Sequence, residues 1–201
     1  MGNISVFEEK DIWKVLFKVA PPVMLAQLIQ ALYNIVDSYF VGRYSGSGLT
    51  ALSIIFPVQL IITAIAVGTG VGVNTHMSRC YAQNQADKAR ETAGTGTILA
   101  LMSWCLFAAV SSLLMKSYVM TSARSEEVIT DAVIYGRIVC IGSLGIFMEG
   151  IWTKAHQSGG NMKRPMLAQI SGALTNIILD PILIFGAGFI PELGVAGAAY
   201  A

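Results

Sequence analysis

Residues 51–74 read ALSIIFPVQLIITAIAVGTGVGVN, twenty-four positions without one charged side chain. A helix needs about 20 mostly apolar residues to cross a bilayer, so this stretch predicts a membrane span. Working outward, four further runs qualify. Residues 15–42 hold Lys18 near the start and Asp37 near the end. Residues 95–115 are uncharged, 132–153 contain Arg137 and Glu149, and 166–190 contain Asp180. A sixth apolar run begins at Leu193 and reaches Ala201. Nine helical residues extend only about 13 Å against a hydrocarbon core of about 30 Å. The expected fold is therefore an all-α, polytopic transmembrane helix bundle with five complete spans and the start of a sixth. It reads as a piece of a longer protein, with a cytoplasmic segment at 1–14 and a membrane lobe at 15–201.

Composition agrees. Of the 201 residues, 54% are hydrophobic and 12% charged, against about 25% charged in a soluble domain. A net charge of +1 offers no field for nucleic acid. Cys80, Cys105 and Cys140 lie in or beside apolar runs and read as packed thiols. The first fourteen residues mix acids with lysines, unlike a signal peptide. Val6 stands where a myristoylation motif needs Ser or Thr.

Cation placement sets the orientation. Lys10, Lys14, Arg79, Lys88, Arg90, Lys154, Lys163 and Arg164 fall on one side; Arg43, Lys116 and Arg124 fall on the other. The positive-inside rule puts the N-terminus in the cytoplasm, with loops 75–94 and 154–165. Loops 43–50, 116–131 and 191–193 then face outward, and the Asn3-Ile4-Ser5 sequon lies on the side that is not glycosylated. Trp13, Tyr39, Tyr44, Trp104, Tyr118 and Trp152 suggest an aromatic belt at the interfaces. The mixed-sign stretch 83–91 reads as a short cytoplasmic helix between spans two and three.

Inside lipid the polar residues carry the information, because an acid at a helix centre costs at least about 2.5–3.5 kcal/mol. Gln27, Gln30, Asn34 and Asp37 are spaced 3, 4 and 3 apart, which puts them on one face of the first span. Such a stripe should face protein or a wet cavity. In the fifth span Gln169, Asn176 and Asp180 form a similar stripe, with Pro181 directly after. A proline there deprives the Ile177 carbonyl of its helical donor and would bare a backbone oxygen beside the carboxylate. Asp180 lies 15 residues beyond Pro165, and Asp37 lies 15 beyond Pro22. Both acids thus fall roughly 22 Å along their helices, at one depth. Taken out of water together, paired carboxyl groups hold a proton and release it when a cation or water arrives. The plainer alternative for each aspartate is an interhelical hydrogen bond. Lys18 and Glu149 read chiefly as snorkelling side chains; a second protonation site at Glu149 is the lesser alternative. Gly68, Gly70 and Gly72 read as close helix packing.

These residues resemble a known family. Tyr33-Asn34-Ile35-Val36-Asp37-Ser38-Tyr39-Phe40-Val41-Gly42-Arg43, after Pro21-Pro22 and Gln27, looks like the first-helix signature of multidrug and toxic compound extrusion (MATE) transporters. Residues 157–166, from Gln157 to Met166, resemble the loop before that family's fifth helix. Residues 176–186, Asn176 to Gly186, match the fifth-helix signature. Residues 194–199 look like the start of the sixth. The resemblance implies one six-helix lobe of a twelve-helix antiporter that exchanges H⁺ or Na⁺ for drugs or metabolites by alternating access in the cell membrane. It implies no cofactor, no enzyme activity, a cationic or amphipathic small-molecule substrate, the bilayer and a C-terminal lobe as partners, and no nucleic acid. It assigns Asp37, Asn176 and Asp180 to coupling, as a candidate Na⁺ or proton site. The sixth-helix threonine that often joins them would lie beyond Ala201. Gln27, Gln30, Asn34 and Gln169 are cavity-lining candidates. The alternatives are a lipid-linked oligosaccharide flippase of the same superfamily, which would favour a cationic cavity, and a non-transporting membrane scaffold.

Overall fold

A computed structural model describes residues 11–188 and 190–201. Residues 1–10, which include most of the expected N-terminal segment, Lys10 and the sequon, lie outside the described residues. Seven helices follow in order: α1 (Ile12–Tyr44), α2 (Gly46–Ala82), α3 (Ala86–Ser122), α4 (Glu126–Gly142), α5 (Leu144–Ser158), α6 (Lys163–Phe185) and α7 (Val195–Tyr200). Among the described residues there is no strand beyond an isolated bridge between Ala187 and Ile190. Five helical segments are long and apolar enough to cross a membrane, with α4 and α5 acting as one. Their outward faces carry large apolar side chains such as Leu113, 80% exposed, which lipid and not water would solvate.

The helices outlast the apolar runs read from sequence. At 37 residues, α2 and α3 are each about 55 Å long, well beyond the hydrocarbon core. Hydropathy marks where lipid ends; the helix continues into water wherever nothing breaks it. The breaks are therefore short. Ser45 alone separates α1 from α2: its N–H closes onto the Val41 carbonyl and its Oγ caps the Gly48 N–H at 2.8 Å. The stretch 83–91 is not a separate helix. Asn84, with φ 57°, turns the chain in one step, and residues from Ala86 onward are the first turns of α3, with Ala89 buried.

The fourth span departs from the expected single rod. It breaks at Ser143, whose buried hydroxyl donates to the Cys140 carbonyl at 2.7 Å, with Gly142 and Gly145 on either side lowering the helix's stiffness. Trp104 was expected in the interfacial belt. Its indole N–H instead donates to the Ile141 carbonyl at 2.9 Å, beside the break.

Residues 166–190 were expected to form one helix, but α6 ends at Phe185. Gly186 adopts φ 77°, Ala187 and Ile190 exchange backbone hydrogen bonds, and the N–H groups of Leu193 and Gly194 return to the carbonyls of Leu183 and Ile184. That tight return brings α7 onto α6 so closely that a side chain at Gly197 would meet the Leu183 carbonyl.

Packing divides the bundle. α2 sits centrally against α3, α4 and α5, while α1 packs chiefly along α6. Phe147, Ile55, Ile62 and Ile151 are buried in the α2–α5 body. Of the three glycines in span two, only Gly70 is a close contact: its missing side chain leaves room for the Gly150 backbone. Gly68 and Gly72 face open space.

Candidate functional site

Pairing α1 with α6 places two acidic helix faces together. Asp180 has no accessible surface at all, and Asp37 is half-buried. The two carboxyl groups lie within electrostatic range of each other. Asn176, one turn below Asp180, donates its amide to Asp180 Oδ1 over a long 3.4 Å. This leaves three buried oxygens without a hydrogen-bond partner: Asp37 Oδ1, Asn176 Oδ1 and Asp180 Oδ2. Each is an acceptor. Buried polar atoms are normally paired, so three orphaned acceptors around two carboxylates leave a concentration of unneutralised negative charge.

Among the described residues no base forms an ion pair with either carboxyl group. The ion pair found among the described residues is Arg90–Asp87, exposed in the first turns of α3. No three of His, Cys, Asp and Glu gather there into a metal cluster. The donor set is two carboxylates and an amide oxygen, hard ligands suited to a proton or an alkali cation and not to a transition metal.

The stripe on α1 divides in two. Gln27 and Asn34 are seven residues apart and exposed, and so point away from the bundle. Gln30 and Asp37, also seven apart, are half-buried. The two rows lie about 60° apart around the helix, enough to put one on the site and the other on its rim. Asn34 is engaged with its own helix, donating to the Gln30 carbonyl at 2.9 Å. Gln169 does not join the aspartates: it donates to Glu149 Oε1 at 2.7 Å, lower on α6.

Three residues near the site were not read from sequence as belonging to it. Tyr33, half-buried one turn before Asp37 on α1, lies within electrostatic range of Asp37 and Asp180. Tyr135 on α4 is buried and accepts from Gln59 Nε2 at 3.1 Å, and it also lies within range of Asp37. Gln59 had a signal, being an amide in a charge-free span. Tyrosine in a membrane sequence suggests an interface, which concealed the other two. Glu149 does not snorkel: Thr153 and Gln169 both donate to its Oε1 at 2.7 Å inside the bundle.

The MatE family profile matches residues 22–182. The chain is 28% identical over 193 residues to the FAD transporter of Shewanella oneidensis, covering 94% of this chain and 42% of that protein. It is 25% identical over 192 residues to the probable multidrug resistance protein YoeA of Bacillus subtilis, covering 95% of this chain and 42% of that protein. Among solved structures, a MOP superfamily transporter from Pyrococcus furiosus superposes with a TM-score of 0.91 at 28% identity, over 100% of this chain and 43% of that one. An outward-facing multidrug resistance MATE transporter gives the same figures. The chain thus spans less than half the length of the relatives it matches.

Proposed function

This chain belongs to the MatE family, and from that premise we propose that it forms the N-terminal lobe of a secondary antiporter. The antiporter exports a small organic molecule in exchange for H⁺ or Na⁺ by alternating access. The carrying observation is the set of three orphaned buried oxygens on Asp37, Asn176 and Asp180. A cation or proton would satisfy these atoms, and its departure would leave like charges facing each other. Occupancy therefore changes how strongly α1 and α6 are held together, which is the coupling that alternating access requires.

Gln27 and Asn34 are assigned to the wall of a cavity shared with a second lobe, because both are polar and exposed on the helix that carries Asp37. The substrate is assigned as cationic or amphipathic, since the acids on this face have no basic counterpart. The protein is placed in the cell membrane with a cytoplasmic N-terminus, on the distribution of its cations.

The test uses the full-length protein in proteoliposomes, with ethidium and FAD as alternative cargoes and H⁺ and Na⁺ gradients imposed separately. Asp37→Asn and Asp180→Asn should each abolish gradient-driven export while membrane insertion is retained. Driven export that survives in both variants would remove the reading. Export of FAD and not ethidium would overturn the cationic substrate class alone.

A further inference from the structure

Glu149 is a third intramembrane acid, and the Asp37–Asp180 pair leaves it without a role. It sits half-buried on α5, and its Oε1 receives both Thr153 Oγ1 and Gln169 Nε2 at 2.7 Å. Its Oε2 takes no bond among the described residues and is not sealed in the interior. Neutral donors hold the carboxylate in place without cancelling its charge, and it forms no ion pair among the described residues. Lys154, five residues on, turns its ammonium to Gln157 at 3.2 Å instead.

The packing of α5 decides which side the carboxylate is on. Phe147 meets Phe107 of α3, Ile151 stands against Gly96 of α3, and Gly150 rests on the Ala66 backbone of α2. Glu149 is two residues from both Phe147 and Ile151, so it is turned about 160° from each around the helix. It therefore stands away from α3, at the seam where Gln169 of α6 meets it. That seam is loose: α5 packs along α2 and α6 along α1, while α5 and α6 otherwise touch little. Ile146, one turn before Glu149 and 40% exposed, adds accessible apolar surface. The level is set by Gln169, six residues beyond Lys163 and 11 before Asp180. Glu149 is thus held about 9 Å from the cytoplasmic end of α6 and about 16 Å short of the aspartate pair.

One open carboxylate oxygen selects among cations. A divalent metal ion needs about six or more oxygen ligands; here Oε1 is already taken and the Gln169 amide presents its nitrogen. A weakly hydrated organic cation asks only for a counter-charge and apolar surface beside it. We propose that Glu149, oriented by Thr153 and Gln169, is the point on the cytoplasmic side at which the charged group of an organic cation is first bound. The proposal rests on the antiporter reading and names a contact for its cargo, separate from the ion site. Because only neutral groups hold the carboxylate, its full charge is kept for the arriving molecule.

The test is equilibrium binding of ethidium to purified full-length protein in detergent at neutral pH, read by fluorescence anisotropy. Glu149→Gln keeps an oxygen for Thr153 and Gln169 to donate to, so it removes charge and not scaffold. It should weaken ethidium binding about tenfold or more, and Glu149→Asp should recover part of the loss. In the parent, tetraphenylphosphonium should displace ethidium far better than uncharged triphenylphosphine oxide. Ethidium should also protect Glu149 of the parent from dicyclohexylcarbodiimide, read by peptide mass spectrometry, a measurement that needs no variant to fold. Parental affinity in Glu149→Gln, or undiminished carbodiimide labelling in the presence of ethidium, would overturn the proposal. That failure leaves the antiporter reading standing, because gradient-driven export in Asp37→Asn and Asp180→Asn judges it separately. A parent that binds no ethidium would remove both this site and the cationic substrate class.

Discussion

Replacing Asp180 with Asn should make the protein more stable and less able to bind its coupling ion. The side chain has no accessible surface, its Oδ2 has no partner, and its Oδ1 is met only by a long bond from Asn176. An amide fills the same volume and brings two N–H donors to a place where Asp37 Oδ1 and Asn176 Oδ1 both lack one. Each buried acceptor newly satisfied recovers about 1–3 kcal/mol, and the repulsion between two carboxylates disappears as well. Ion binding moves the opposite way. A unit charge about 4 Å from a cation contributes about 4 kcal/mol at an effective permittivity of about 20, or about a thousandfold in affinity. The assay is thermal unfolding of the full-length protein in detergent, with and without Na⁺, over a pH series. At alkaline pH the variant should melt higher than the parent, and the gap should close as pH falls and the parent's carboxyl takes up its proton. Added Na⁺ should raise the parent's melting temperature far more than the variant's, if Na⁺ is the coupling ion. A variant that melts lower at alkaline pH, yet keeps the parent's response to ions, would refute the assignment of these oxygens as a cation site.

Three further outcomes are expected. Gly197→Leu should cost about 1–3 kcal/mol or more by overpacking, because its side chain would meet the Leu183 carbonyl; size-exclusion profiles of the solubilised protein would show the loss. Trp104→Phe should lower stability by about 1 kcal/mol, since the Ile141 carbonyl loses its indole donor, and unfolding midpoints would register it. Asn84→Cys and Ser125→Cys stand in turns at opposite ends of α3, so a membrane-impermeant maleimide should label them from opposite faces, Asn84→Cys from inside; the reverse pattern would invert the topology.

The architecture was readable because lipid imposes a simple rule: residues 51–74 can be charge-free over two dozen positions only if something apolar surrounds them. What hydropathy could not register was helix continued into water. Residues 86–94 are polar enough to pass for a connector, yet nothing in them stops a helix, and Ala89 is drawn into the core. The Ser143 break was equally hidden, because it arises from a hydroxyl bonding back onto its own chain, which leaves no mark on apolar periodicity. In the site, counting from Pro22 and Pro165 put Asp37 and Asp180 at one depth, and α1 does pack along α6. Spacing along the fifth span put Gln169 on one stripe with Asn176 and Asp180, but a neighbouring helix supplied Glu149 as its partner, and partners across a helix seam are invisible to spacing along one helix. Tyr33 and Tyr135 were concealed for the same reason: their significance comes from what stands opposite them.

The pairing of α1 with α6 bears on how such a chain is made. Asp37 and Asp180 are 143 positions apart. At about 5–20 residues per second, a ribosome needs roughly seven to thirty seconds to travel from one codon to the other. Through that interval the first helix waits beside the insertion machinery with an acid on its flank and no counterpart to shelter it. The Asp37–Asp180 pairing thus cannot form until α6 has been made, and until then it is the first helix that carries an unsheltered acid.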